Sequence, residues 1–307
     1  MNNIAPIVLF CYRRLDSLKL TVANLQANPL AGESDLFIYS DGWHDIMSQH
    51  DIEQVRKYIK GIKGFKSLSI VESPINRGLA NSVIQGVSEV VNKFGSCIVM
   101  EDDLLTSPNF LYFMNQSLHA FEKVHRVNSI SGYSFDFKPR NDEYDAYFLN
   151  RSWSWGWATW ADRWNAVDWE MKIYESFKLN TKEKGKFAQL GSDVNIMLKR
   201  QMNGKIDSWG IRFTFNQFLK NGVTLYPKIS KVNNIGFDQY ATHTVGLKDR
   251  FVTETDASAQ ILFEFPEVIE TDQFYQKQFM LKFNVNNRIL NKIKEFFAKI
   301  RLLMMLV

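Results

Sequence analysis

The chain has 307 residues, of which 45% are hydrophobic and 23% charged, with a formal net charge of +4. That length can bury a substantial core as one large domain or two unequal ones, and the balance excludes a disordered or fibrous chain. The cations are scattered rather than blocked, which makes no case for nucleic acid as a partner, and no apolar run approaches the roughly 18 residues a spanning helix needs.

In chain order, APIVLFCY is a fully apolar strand without the layout of a signal peptide. LDSLKLTVANLQAN then carries Leu15, Leu18, Val22 and Leu25 at helical spacing. DLFIYSDG is a second strand ending at Gly42, DIEQVRKYIKGI a helix and KSLSIVESP a third strand. GLANSVIQGVSEVVNKFG is a helix closing at Gly95, a residue suited to a helix C-terminus. SCIVMEDD is the fourth strand. Regular alternation with near-continuous apolar strands predicts an α/β fold, a mostly parallel central sheet with helices on both faces. The only two cysteines, Cys11 and Cys97, sit in strand-like runs without zinc spacing and read as buried free thiols.

Beyond Phe110 the rhythm changes. A helix is expected from about Asn109 to Val124, then the strand VNSISGYS, an acidic loop over Asp142 to Asp145, and the run RSWSWGWATWADRW. A helical stretch over Lys182 to Met202 precedes KIDSWGIRFTFNQFLKNG and another strand, VTLYPKISKVNN. Ile235 to about Ser258 has no period and reads as a loop. The pattern makes residues 1–110 and 111–265 two halves of one domain, with 266–307 a helical extension. In that extension Ile289, Leu290, Ile293, Phe296, Phe297, Ile300, Leu303 and Met304 line one helical face, with Arg288, Lys292, Lys294, Lys299 and Arg301 on much of the rest. A basic amphipathic helix reads as a membrane-surface or partner-docking element. A terminal helix packed on its own domain is the alternative, and the final LLMMLV favours the membrane.

Ligands of an open parallel sheet bind beyond the carboxyl ends of its strands. Arg13 and Arg14 follow the first strand, Asp41 the second, Glu72 and Asn76-Arg77-Gly78 the third, and Glu101-Asp102-Asp103 the fourth. Three adjacent carboxylates at the end of a buried strand repel one another unless a cation joins them. Carboxylate oxygens suit Mg2+ or Mn2+, which neutralises charge on a departing phosphate. Backbone N–H groups at the Asn76–Gly78 helix start suit an anion. Taken singly, an acidic run is usually a solvated turn and an Arg-Arg pair usually surface. Their agreement on one sheet edge points to a nucleotide-diphosphate site.

At these residues the chain resembles N-acetylglucosaminyltransferase I-like enzymes, inverting transferases of the Rossmann-like GT-A fold. The resemblance runs in order from about Pro6 to His243, over VLFCYRRLDSLKLTVANL, FIYSDGWHD, IVMEDDLLTSPNFLYFMNQSL, ISGYSFDF, SWSWGWATWADRW, DSW and YPKISKVNNIG. The chain is also similar to family 2-type bacterial glycosyltransferases. The resemblance implies a glycosyltransferase domain over residues 1–265, with Asp103 as direct ligand of Mn2+ or Mg2+, Asp102 near the ribose, and Glu101 bonded to the donor sugar. It implies that Asp41 accepts the uracil N–H of a UDP-sugar and that Arg13 or Arg14 lies beside the nucleotide; Asn76 and Arg77 join the donor-binding candidates by their place at the helix start. Asp207 falls where the family has its catalytic base. The family's motif has two acids before the Trp, and the second is Ser208 here.

The chemistry agrees: an inverting transfer needs one carboxylate to take the acceptor hydroxyl's proton opposite the leaving diphosphate. Asp207 could equally cap the helix that begins at Ser208. Trp153, Trp155 and Trp157 share one face if extended, so Trp155 and Trp157 are candidates for an acceptor-stacking platform, or else core. His243 could ligate metal or phosphate, although an isolated His more often does neither. The acceptor would be a glycan or lipid-linked saccharide, met in the cytoplasm at the inner face of the membrane. A nucleotidyltransferase is the competing enzyme class, but it normally has a Gly-rich loop after the first strand, and CYRRLDSLKL has no Gly. A non-catalytic nucleotide- or glycan-binding module is the third reading, against which Asp103 is retained.

Overall fold

The computed structural model describes residues 4–236 and 251–284. His243 and the basic amphipathic stretch from 288 onward therefore lie outside the described residues. The first half alternates as its sequence predicts: β1 (Ile7–Cys11), α1 (Leu15–Gln26), β2 (Asp35–Ser40), α2 (Ile46–Ile59), β3 (Ser67–Glu72), α3 (Leu79–Phe94) and β4 (Ser96–Glu101). There follow β5 (Leu104–Thr106), α4 (Phe110–Ala120), β6 (Val127–Ser131), β7 (Ala146–Leu149), β8 (Trp157–Trp160) and α5 (Ala161–Asn165). The remainder comprises α6 (Tyr174–Leu179), α7 (Thr181–Phe187), α8 (Val194–Met202), α9 (Trp209–Leu219), β9 (Val223–Pro227), β10 (Val232–Asn234) and α10 (Gln273–Lys282).

Eight strands form one sheet in the order β3-β2-β1-β4-β8-β6-β9-β7. Four of its seven neighbour pairings are parallel and three antiparallel, so only β8 and β7 run against the rest. This mostly parallel sheet flanked by helices is consistent with the Rossmann-like GT-A arrangement expected from the sequence. The two halves of the chain supply its two halves: β1 to β4 on one side, β6 to β9 on the other. Among the described residues no helix is long and apolar enough to cross a membrane.

Strand alternation divides the core. Ile7, Leu9 and Cys11 of β1 face the side covered by α1, α2 and α4, whereas Val8 and Phe10 face α3. On α9 the two i, i+4 pairs point apart: Trp209 and Phe213 join the core beneath α3, while Ile211 and Phe215 pack with Phe177, Phe187 and Leu198 in a third cluster. Cys11 and Cys97 are buried free thiols, as expected.

Long-range contacts change several expectations. The helix expected over 182–202 breaks at Gly191, where φ is +132°. A Cβ there would stand 2.5 Å from Arg151 Nη1, and Arg151 forms a bidentate pair with Asp193 at 2.8 Å per bond. VTLYPKISKVNN holds two strands, because β10 leaves the main sheet to pair with β5. Behind that ribbon the buried Lys231 pairs with the buried Asp256, which also accepts from Asn109 Nδ2 at 2.9 Å and ties 251–258 to the core.

The expected Trp platform is core. Gly156 adopts φ +56°, a conformation that L side chains rarely take, and this reverses the alternation of the extended run. Trp153 and Trp155 pack on Tyr133 with centroids 5.8 and 4.7 Å away. Trp157 goes to the opposite face and stacks on Trp209 at 4.7 Å. With Trp155 only 9% and Trp157 only 2% exposed, neither ring offers a face to a sugar. Trp157→Ala should lower the unfolding free energy by about 3–5 kcal/mol in urea titrations; a surface platform would lose well under 1 kcal/mol.

Candidate functional site

The carboxyl ends of β1, β2 and β4 open onto one cleft of about 400 Å³. Tyr12, Arg13 and Arg14 line it from β1, Asp41, His44 and Asp45 from the loop after β2, and Glu101, Asp102 and Asp103 from β4. Asn76, Gly78, Leu79 and Ser82 close it from the start of α3. Of the residues expected from sequence, the cleft gathers Arg13, Arg14, Asp41, Asn76, Glu101, Asp102 and Asp103. Arg77 and Asp207 do not line it.

The acidic run ends β4 as expected, and two of its members are almost fully buried, Asp102 at 4% and Asp103 at 5% exposure. Arg14 joins them: its Nη2 donates to Asp102 Oδ1 at 2.6 Å and to Asp103 Oδ2 at 2.8 Å. Asp102 Oδ2 accepts the Tyr12 backbone N–H at 3.1 Å. Burial, only partly offset by Arg14, pushes Asp102 up to about 6. Burial and then the two neighbouring carboxylates raise Glu101 above the usual carboxylate range. Asp102 and Asp103 in turn hold Arg14 more firmly charged than a free arginine, against the opposing effect of burial.

Asp103 Oδ1 is buried without a hydrogen-bond partner, a costly arrangement for a carboxylate oxygen. This oxygen fits a divalent cation, which such sites bind through one or two carboxylates with the rest supplied by water and substrate phosphates. Among the described residues, no group of three or more His, Cys, Asp or Glu side chains could hold a metal without such help.

The rim opposite is held by Asp41. Its Oδ1 accepts from the backbone N–H of Gly42 and Arg77, both at 2.9 Å, and its Oδ2 from Arg77 at 3.2 Å and Gly78 at 2.9 Å. The N–H groups that read in sequence as an anion site thus hold an anion of this chain. Asn76 Nδ2 returns a bond to Gly42 O at 2.8 Å. The two loops touch so closely that a Cβ on Gly42 would lie 2.3 Å from the Ile75 carbonyl carbon. The Arg77 side chain turns away onto Ser73 Oγ, at 3.1 Å, and Gln85.

Sequence reasoning missed Arg56. Its guanidinium donates to the carbonyls of Ser40, Asp41 and Ser73 at 3.4, 3.2 and 2.7 Å, bracing the ends of β2 and β3. The available signal was its place inside the buried stripe of α2, next to Val55 and one turn before Ile59. Arg13 lies over the Tyr12 ring at 5.9 Å. Asp207 is half exposed and pairs with Arg212 at 2.9 Å. The capping role open to Asp207 falls instead to Ser208, whose Oγ accepts from Ile211 N. Asp41→Asn, which turns an amide donor toward backbone donors, should cost about 1–3 kcal/mol of stability in urea titrations; a change near zero would show that the carboxylate does not hold these loops together.

No family model matches the sequence, and no curated protein does. Solved structures do match. One is a mannosyltransferase from Pyrobaculum calidifontis in complex with GDP-Man and Mn2+, 12% identical over 46% of this chain and 37% of that one, with a TM-score of 0.33. Two are structures of S. aureus TarS. The first is 9% identical over 74% of this chain and 36% of that one, TM-score 0.43. The second, of residues 1–349, is 8% identical over 75% and 60%, TM-score 0.39. The matched region spans less than two thirds of each of those chains.

Proposed function

We propose that this chain is an inverting, metal-dependent glycosyltransferase that moves a sugar from a UDP-sugar to a glycan or lipid-linked saccharide. The observation that carries the reading is Asp103. Asp103, whose Oδ1 is buried without a partner, lines a cleft at the carboxyl ends of parallel strands, where nucleotide diphosphates bind in sheets of this kind. The resemblance to N-acetylglucosaminyltransferase I-like enzymes supports the same assignment.

In this reading Asp103, with Asp102 beside it, would hold Mn2+ or Mg2+, which neutralises charge on the departing diphosphate. Glu101 bonds the donor sugar. Arg13 and Asn76 line the nucleotide's part of the cleft. Asp41, whose oxygens already take the backbone N–H groups of Gly42, Arg77 and Gly78, would accept the uracil N–H in addition. Asp207 takes the proton from the acceptor hydroxyl as general base. The chain's last, basic stretch attaches the enzyme to the inner membrane face.

Calorimetric titration of UDP with Mn2+, and again with EDTA, tests the donor half. Binding should require the metal and weaken at least tenfold in Asp103→Ala. Asp207→Ala should keep UDP affinity and lose transfer by roughly 10²–10⁴-fold, the usual scale of general-base catalysis. Absence of UDP binding under both conditions would sink the uracil assignment and turn the titration to GDP and dTDP.

A further inference from the structure

The cation that the sequence demands beside three acids is supplied by the chain itself. Arg14 Nη2 bridges Asp102 Oδ1 and Asp103 Oδ2 at 2.6 and 2.8 Å, with its side chain only 17% exposed. The two oxygens of Asp103 are therefore unequal. Oδ2 takes Arg14 and is walled in by Gly236, where a Cβ would lie 1.9 Å from Oδ2 and 2.8 Å from Arg14 Nη1. Oδ1 is buried and has no partner.

From this we infer that Arg14 is a resident counter-cation that competes with an incoming divalent ion for Asp103, and so sets the metal affinity of the site. The inference rests on the metal-dependent reading above. A dication on Oδ1 would share one carboxylate with a guanidinium on Oδ2. Two cations on one carboxylate in a partly buried place repel strongly. The guanidinium leaves Asp103 most readily when another anion receives it, and the cleft beside it is the one assigned to the donor's diphosphate. Metal and nucleotide then assist each other's binding, and that coupling is reciprocal. Arg14 thus acts on the metal through Asp103, by occupying that carboxylate in the free protein.

Mn2+ titration followed by electron paramagnetic resonance tests this, using the full chain, Arg14→Ala and Arg14→Lys, each with and without UDP. Arg14→Ala should bind Mn2+ alone at least tenfold more tightly than the unaltered chain, and UDP should tighten its Mn2+ binding by a smaller factor. Arg14→Lys, which keeps the charge, should stay near the unaltered chain. A merely structural Arg14 would give weaker metal binding on removal, so tighter binding separates the two roles. Should Arg14→Ala fail to fold, Arg14→Gln keeps a donor toward the acids without the charge and carries the same comparison. Unchanged or weaker Mn2+ binding in a folded neutral variant overturns the inference. If no variant binds Mn2+, with or without UDP, the metal-dependent reading itself fails.

Discussion

Burying Asp102 and Asp103 at the end of β4 is the constraint around which the cleft is arranged. Two neighbouring carboxylates in a low-dielectric place are tolerated only with compensating positive charge or hydrogen bonds. The chain meets this with Arg14, which precedes α1 just beyond β1, and with the Tyr12 N–H. Because β1 and β4 are adjacent and parallel, their carboxyl ends lie side by side. Sheet order thus brings cation and acids together although they are far apart in sequence. The compensation is incomplete, since Asp103 Oδ1 has no partner.

The other rim follows the same logic with opposite sign. Asp41 gathers the backbone N–H groups of the 76–78 turn, while Arg56 gathers the carbonyls that end β2 and β3. Donors and acceptors at strand ends have no ladder partner, and one acid and one arginine satisfy them. The result is a pair of loops locked across Gly42 and Ile75. A pre-formed rim loses little freedom on binding a ligand, which favours affinity.

Below the cleft, α9 joins two cores through its opposed faces, and the Ser208 cap sets where that helix starts. Asp207 precedes the cap, outside the cleft and beside Arg212. Its position therefore depends on the packing of Trp209 against Trp157. The aromatic run packs inside, against the helix that follows Asp207.

Local pattern alone determined the β-α order of the first half, the parallel sheet and the strand ends at which polar residues gather. Period-2 and period-3.6 burial and strand punctuation are written into neighbouring residues. The acidic run announced its need for a cation for the same reason, as repulsion between adjacent carboxylates requires no knowledge of the fold. Only the tertiary structure decided which cation answers, because Arg14 reaches Asp102 and Asp103 through a strand pairing. It also decided that Asp41 faces the chain's own N–H groups, that Arg56 braces the rim, and that β10 pairs with β5. Trp157 lies in a different core cluster from Trp155, beyond one glycine with positive φ. Each of these depends on a contact between distant segments or on a single backbone dihedral, and neither is recorded in local sequence periodicity.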